Sequence, residues 1–143
     1  MEIVKMDAMT VDAAAMLAQK LWPEAQMLTE EFSAALENPE FAVFLAYEQD
    51  TPIGFAQCQL RHDYVEGCET SPVGYLEGLF VAEAFRGTGV AKALLARCEA
   101  WARECGCAEF ASDCELTNTQ SIAFHKKVGF AEENRIVCFK KEL

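Results

Sequence analysis

Several residue groups in this sequence have the types and spacing to do chemistry. Arg86-Gly87-Thr88-Gly89 follows the apolar run Leu79-Phe80-Val81 and leads into Val90-Ala91 and a helical pattern. A strand, a glycine turn and a helix start together make an anion site: the glycines let backbone approach a phosphate, and the first helical N–H groups have no internal partner. A tight turn that needs glycine for geometry alone would look the same. Glu77 stands in the otherwise apolar stretch Tyr75-Leu76-Glu77-Gly78-Leu79-Phe80-Val81, where strand alternation puts Glu77, Leu79 and Val81 on one face. A half-buried carboxylate there either serves a function or closes a structural ion pair, and the functional reading weighs more. Asp113 follows Phe110-Ala111-Ser112. Parallel-strand ends face the ligand crevice of an α/β sheet, so Asp113 is a substrate contact or a cap for the next turn.

Bulk properties bound the partners. The chain has 143 residues, 52% of them hydrophobic, which suits one ordinary domain over 1–143 and excludes disorder. Twelve Lys and Arg against 23 Asp and Glu give a net charge of −11. Such a surface repels nucleic acid and attracts a polycation. No apolar run approaches the roughly 20 residues of a membrane span. Glu2 and Asp7 near the start, with no apolar signal region, lead to the expectation of a cytoplasmic protein. The seven cysteines read as small buried apolar residues in a reducing compartment. Cys105-Gly-Cys107 lacks the spacing of a zinc knuckle, so no metal is expected.

The elements that must position these groups follow from periodicity and turn chemistry. Glu2–Met6 reads as a strand, Val11–Leu21 as a helix capped by Thr10 and stopped by Pro23, and a short helix capped by Thr29 ends before Pro39. Phe41–Tyr47 and Ile53–Leu60 form a hairpin about Gln49-Asp50-Thr51-Pro52, and Arg61–Pro72 is a loop. Val73–Val81 is a strand, Val90–Cys105 a long helix ended by Gly106, and Ala108–Ser112 a strand. A helix over Thr119–Val128 and a closing strand over Ile136–Lys140 complete the pattern. The fold class is α/β (α+β), a mixed sheet with helices on its faces, in which only Val73–Val81 and Ala108–Ser112 form a parallel βαβ unit.

Arg86-x-x-Gly89-x-Ala91, between an aliphatic strand end and a long helix, resembles the Arg/Gln-x-x-Gly-x-Gly/Ala signature of the GNAT acetyltransferase superfamily. Asn118 through Lys127-Val128-Gly129-Phe130 resembles that family's closing segment. The resemblance implies a central, mostly antiparallel sheet with about four helices, whose strands Val73–Val81 and Ala108–Ser112 splay to form an acetyl-CoA cleft. It implies that backbone groups of Arg86, Gly87, Thr88, Gly89, Val90 and Ala91 hold the pyrophosphate. Leu79, Phe80 and Val81 would pair with the pantetheine arm as an added strand. Asn118 would meet the cofactor near its sulfur end, with Phe124 and Lys127 beside it.

Acyl transfer to an amine needs a deprotonated amine, a stabilised oxyanion and a protonated thiol. Glu77 is the candidate base, acting through a water, and a bulge at Gly78 could turn an N–H toward the oxyanion. Where many superfamily members carry a Tyr that protonates the thiolate, this chain reads Phe124-His125-Lys126. His125 takes that role, or no residue does.

A finer resemblance is to the aminoglycoside 6'-N-acetyltransferases. It rests on Leu21-Trp22-Pro23, on Leu60-Arg61-His62-Asp63-Tyr64-Val65-Glu66-Gly67, on Ser71-Pro72-Val73-Gly74-Tyr75-Leu76-Glu77-Gly78 and on Phe110-Ala111-Ser112-Asp113. It implies that Trp22 and Tyr64 wall the acceptor site and that Glu77 and Asp113 bind ammonium groups. Glu66 and Glu69 fall in segments expected on the same rim. It further implies a homodimer in which Glu132 or Glu133 could reach a partner's site. The alternatives are a GNAT enzyme for a polyamine or a protein N-terminus, and a CoA-binding sensor without turnover.

Overall fold

The computed structural model describes residues 1–143. The elements run β1 (Glu2–Lys5), α1 (Val11–Leu21), α2 (Leu28–Ala35), β2 (Phe41–Glu48), β3 (Thr51–Arg61), β4 (Val73–Val81), α3 (Val90–Glu104), β5 (Phe110–Ser112) and α4 (Thr119–Lys127). The strands lie in sequence order in one five-stranded sheet. Every pairing is antiparallel except β4 with β5. The expected GNAT architecture is therefore present. No helix is long and apolar enough to cross a membrane.

Strand alternation divides the core between the two faces of the sheet. Ala42, Phe44 and Ala46 of β2 pack with Leu94, Leu95, Cys98 and Trp101 of α3. Val43 and Leu45 point the other way, to Ala14, Leu17 and Ala18 of α1 and Phe32 of α2. Of the seven cysteines expected to be buried, only Cys58 and Cys98 are; Cys68, Cys105, Cys107 and Cys114 are half-buried and Cys138 is exposed.

Some expectations fail for identifiable reasons. Thr10 precedes α1, but its hydroxyl turns back to Asp7, accepting from the Asp7 N–H at 2.9 Å instead of capping the helix. Helix α2 begins at Leu28, one residue before the expected cap Thr29, because buried Leu28 anchors the first turn. Strand β5 is shorter than Ala108–Ser112, since the Cys107 N–H is used by the Ala102 carbonyl at 2.9 Å to close α3.

The larger departures are at Glu77 and at the C-terminus. Gln57 pairs with Gly78 and Cys58 with Leu76, so Glu77 is the extra residue of a bulge. A bulge resets side-chain phase. Leu76 before it and Leu79 and Val81 after it all pack with the α3 cluster, whereas Phe80 packs with the α1/α2 cluster. Glu77 lies on the α1/α2 side with Trp22, Leu28 and Phe32, so the expected shared face of Glu77, Leu79 and Val81 does not form. The expected strand Ile136–Lys140 is also absent. Its residues have strand-forming types, yet no strand edge of the same chain pairs with them, and Phe139 is 91% exposed.

Candidate active site

The fork between β4 and β5 is short and sharp. The strands pair only at Gly74–Phe110, Tyr75–Ala111 and Leu76–Ser112, so β4 continues from Glu77 to Val81 with no strand on that edge. That unpaired edge is the place where an extended pantetheine arm could add as a strand. Leu79, Phe80 and Val81 line up along it.

At its end the chain passes through Glu83–Phe85, one turn of 3-10 helix, into Arg86-Gly87-Thr88-Gly89. Gly87 at φ +77° and Gly89 at φ +91° occupy left-handed backbone that disfavours side chains, and a Cβ on either would meet nothing within 4 Å. Strained conformation, not crowding, demands glycine here, and the turn keeps an open face. Side chains brace it from behind: Arg86 Nε donates to the Val81 carbonyl at 2.8 Å, and Thr88 Oγ1 donates to the Phe85 carbonyl at 2.5 Å. No side chain caps α3 above Gly89. The N–H groups around Val90 and Ala91 thus remain for an anion, aided by the helix dipole. Arg86 holds the turn's shape through its side chain.

Helix α4 flanks the fork. The Asn118 carboxamide oxygen accepts from the Ser121 N–H at 3.1 Å and caps the helix, leaving its NH2 for another partner. Phe124 is half-buried with its ring edge-on to His125, and Lys127 is exposed. His125 reaches back to the sheet, with Nε2 2.8 Å from Ser112 Oγ.

On the acceptor side, a cavity of about 380 Å³ is lined by Trp22, Leu28, Glu31, Phe32, Gln57 and Glu77, among others. Trp22 packs edge-on to Phe55 at 5.9 Å and lies against Gly78, where an added Cβ would stand 2.5 Å from the indole. The glycine and the tryptophan are a matched pair. The Glu77 carboxylate is held by Arg61, with Nη2 at 2.7 and 3.0 Å from its two oxygens and Nε at 3.0 Å from the first. Glu77 therefore closes the ion pair that the sequence left as the alternative, and it also lines the cavity. Arg61 in turn stacks on the Tyr75 ring at 3.5 Å, and the Tyr75 hydroxyl donates to Asp113. Burial first, then the bond to Asp113, pushes the Tyr75 hydroxyl above its ordinary range, which keeps it a donor. Glu77 and Asp113 thus belong to one chain of contacts, Glu77–Arg61–Tyr75–Asp113.

The structure does not bring Tyr64 or Glu66 into this cavity. Tyr64 is 76% exposed, and Glu66 accepts from the Asn134 amide at 2.6 Å. Their loop is tied down from elsewhere: Glu109 accepts from the N–H groups of Glu69 and Thr70 at 2.9 and 2.8 Å and from the Thr70 hydroxyl at 2.5 Å. Residues that sequence reasoning missed are Arg61, Glu31, Gln57, Tyr75 and Ser112. Cross-strand pairing of β3 with β4 would have signalled Arg61, whereas Glu31, in the first turn of α2, carries no local sign that it faces a cavity.

A turn with an anion-binding face, an unpaired strand edge leading to it and a carboxylate cavity across the sheet define an acyltransferase frame. Residues 8–130 match the model of the Acetyltransferase (GNAT) family, and the chain belongs to that family. Within it the relatives are narrower in kind. The chain is 47% identical over 139 residues to the aminoglycoside N(6')-acetyltransferase type 1 of Stenotrophomonas maltophilia, covering 95% of this chain and 91% of that protein. It is 39% identical over 145 residues to the enzyme of the same name from Salmonella typhimurium, covering 99% of each. Among solved structures, AAC(6')-Iy in complex with the bisubstrate analogue CoA-S-monomethyl-acetylneamine superposes with a TM-score of 0.96 at 37% identity, covering 99% of this chain and 98% of that one.

Proposed function

We propose that this chain is an aminoglycoside 6'-N-acetyltransferase, a single catalytic domain over 1–143 that transfers the acetyl group of acetyl-CoA to the 6'-amine of the antibiotic. The observation that carries this reading is the placement of Glu77: it lines the cavity from a bulge in the strand whose next residues form the unpaired edge. An amine bound there lies beside a thioester laid along that edge.

The residues divide the work. The open turn at Gly87–Gly89 and the start of α3 bind the pyrophosphate, and Leu79–Val81 align the pantetheine arm. Asn118, Phe124 and Lys127 lie along its other side. Trp22 covers the floor of the acceptor cavity, and Glu77, Glu31 and Asp113 set a negative field for a substrate with several ammonium groups. Tyr64 and Glu66 belong to the outer rim of the acceptor side, and His125 to the thiol end.

Glu77 takes a proton from the attacking ammonium through a water, since Arg61 already occupies both its oxygens. The free amine attacks the thioester carbonyl, the adduct nitrogen releases its second proton to solvent, and the C–S bond breaks so that CoA leaves as a thiolate that takes up a proton. The product has lost one cationic group, which weakens its grip on polyanionic targets and underlies resistance.

The enzyme works in the cytoplasm as a homodimer. Support for the dimer comes from Ile136, Val137 and Phe139, which are apolar, exposed and unpaired, and from β5, whose outer edge has no neighbour. A thiol-release assay with acetyl-CoA against kanamycin, tobramycin, spermine and a peptide panel tests the function. Turnover with the aminoglycosides is expected. Turnover with spermine or peptide alone would overturn the assignment in favour of another amine acceptor, and binding of CoA without any turnover would favour a sensor.

A further inference from the structure

The His125 ring has both nitrogens engaged in a way that fixes its protonation geometry. Nδ1 lies 2.6 Å from the Ser121 carbonyl oxygen, one helical turn back, and 3.3 Å from Ser121 Oγ. A carbonyl only accepts, so Nδ1 carries a hydrogen in either charge state of the ring. Nε2 is therefore the nitrogen whose proton comes and goes, and it faces Ser112 Oγ at 2.8 Å. Phe130 flanks the ring at 5.1 Å and Phe124 at 5.9 Å, which limits its alternative orientations. Ser112 is the last residue of β5 to pair with β4, opposite Leu76, so its hydroxyl stands where the two strands part.

We propose that Ser112 and His125 form a two-step proton relay to the departing thiolate of CoA, with Ser112 the catalytic residue that touches sulfur and His125 acting through it. The idea rests on the acetyl-CoA reading above. When the tetrahedral adduct collapses, the C–S bond breaks and sulfur leaves with the electron pair. The Ser112 hydroxyl proton passes to sulfur, and the Nε2 proton of the imidazolium passes to Ser112 Oγ. This leaves a neutral ring that still donates from Nδ1 to Ser121, and solvent returns the lost proton. A hydroxyl alone is a poor acid, and the histidine behind it supplies the proton that the hydroxyl passes on.

A purely structural role is the competing account, because α4 has no fully buried residue and this bond ties it to the sheet. Ser112→Ala, Ser112→Thr, His125→Gln and the Ser112→Ala/His125→Gln double variant separate the two, each with acetyl-CoA affinity and Tm measured. The relay predicts that Ser112→Ala and His125→Gln each lower kcat at least tenfold with KM for acetyl-CoA and Tm little changed. It also predicts that Ser112→Thr restores most of kcat and that the double variant is no slower than the worse single one. A Ser112→Ala enzyme within twofold of wild-type kcat would overturn the relay, as would losses that appear only in Tm or cofactor affinity. Each variant is read as a ratio to wild type on whichever amine the wild type acetylates. Failure of the aminoglycoside assignment would show as wild-type preference for another amine and would leave these ratios readable.

Discussion

Glu77 brings a carboxylate that lines the cavity and the bulge of β4 together at one position. As the bulged residue of β4 it shares a side of the sheet with its neighbour Gly78, and both meet α1 and its exit at Trp22. Removing its charge while keeping its shape, Glu77→Gln, is expected to lower kcat at least tenfold with KM for acetyl-CoA little changed. An unchanged kcat would remove Glu77 from the role of base. Gly78→Ala places a Cβ within 2.5 Å of the indole and 3.0 Å of Leu21 Cδ2. Overpacking of this kind costs about 1–3 kcal/mol, to be read from urea unfolding, and it should also weaken acceptor binding by displacing Trp22. Stability equal to wild type would mean that the indole is free to move. The half-buried place of Glu77 was legible because a carboxylate interrupts an apolar strand. Its facing was not, because strict alternation across Tyr75–Val81 ignores the bulge expected at Gly78, and Arg61 went unnoticed as its partner because residues 16 apart in sequence meet only through sheet register.

At the scale of elements, helices and strands with strong periodicity were nearly complete in the sequence, and α1 matches its expected span residue for residue. What failed were caps and partners, features decided by what a side chain finds in space. The turn before α3 was legible because glycine at left-handed φ and the helix start lie side by side in the chain. Gly89→Val is expected to weaken CoA binding, measured by calorimetry on a protein first shown to be folded; normal affinity would contradict the turn as the phosphate site. The loop 62–72 depends on Glu109, whose carboxyl is held below its ordinary range by the Thr70 hydroxyl first and then by the amides of Glu69 and Thr70. A lowered folded value means that this anchoring is complete above the unfolded carboxyl's value of about 4.3 and is lost as pH falls through the folded one. Protection factors at the Glu69 and Thr70 amides, taken against the intrinsic rate at each pH, should therefore fall in that acid window, and at neutral pH in Glu109→Ala. Unchanged protection in both cases would show that the loop is held by other means.

For the whole molecule, charge and an unfinished edge give the clearest expectations. A net charge of −11 with carboxylates facing the acceptor cavity suits a polycationic substrate, and binding should weaken as salt rises. The C-terminal run Ile136–Lys140 has strand-forming residue types but finds no partner within the chain. The proposed homodimer predicts a dimer mass for the full chain in sedimentation velocity and a monomer mass after truncation at Arg135; a monomeric full chain would overturn it. The central claim concerns which amine receives the acetyl group. It is tested most directly by comparing neomycin with paromomycin, which differ by an amine against a hydroxyl at the 6' position, and by locating the new amide by NMR. Acetylation of neomycin at the 6'-nitrogen, with paromomycin inert, is the predicted result; acetylation of both at a shared amine would contradict it.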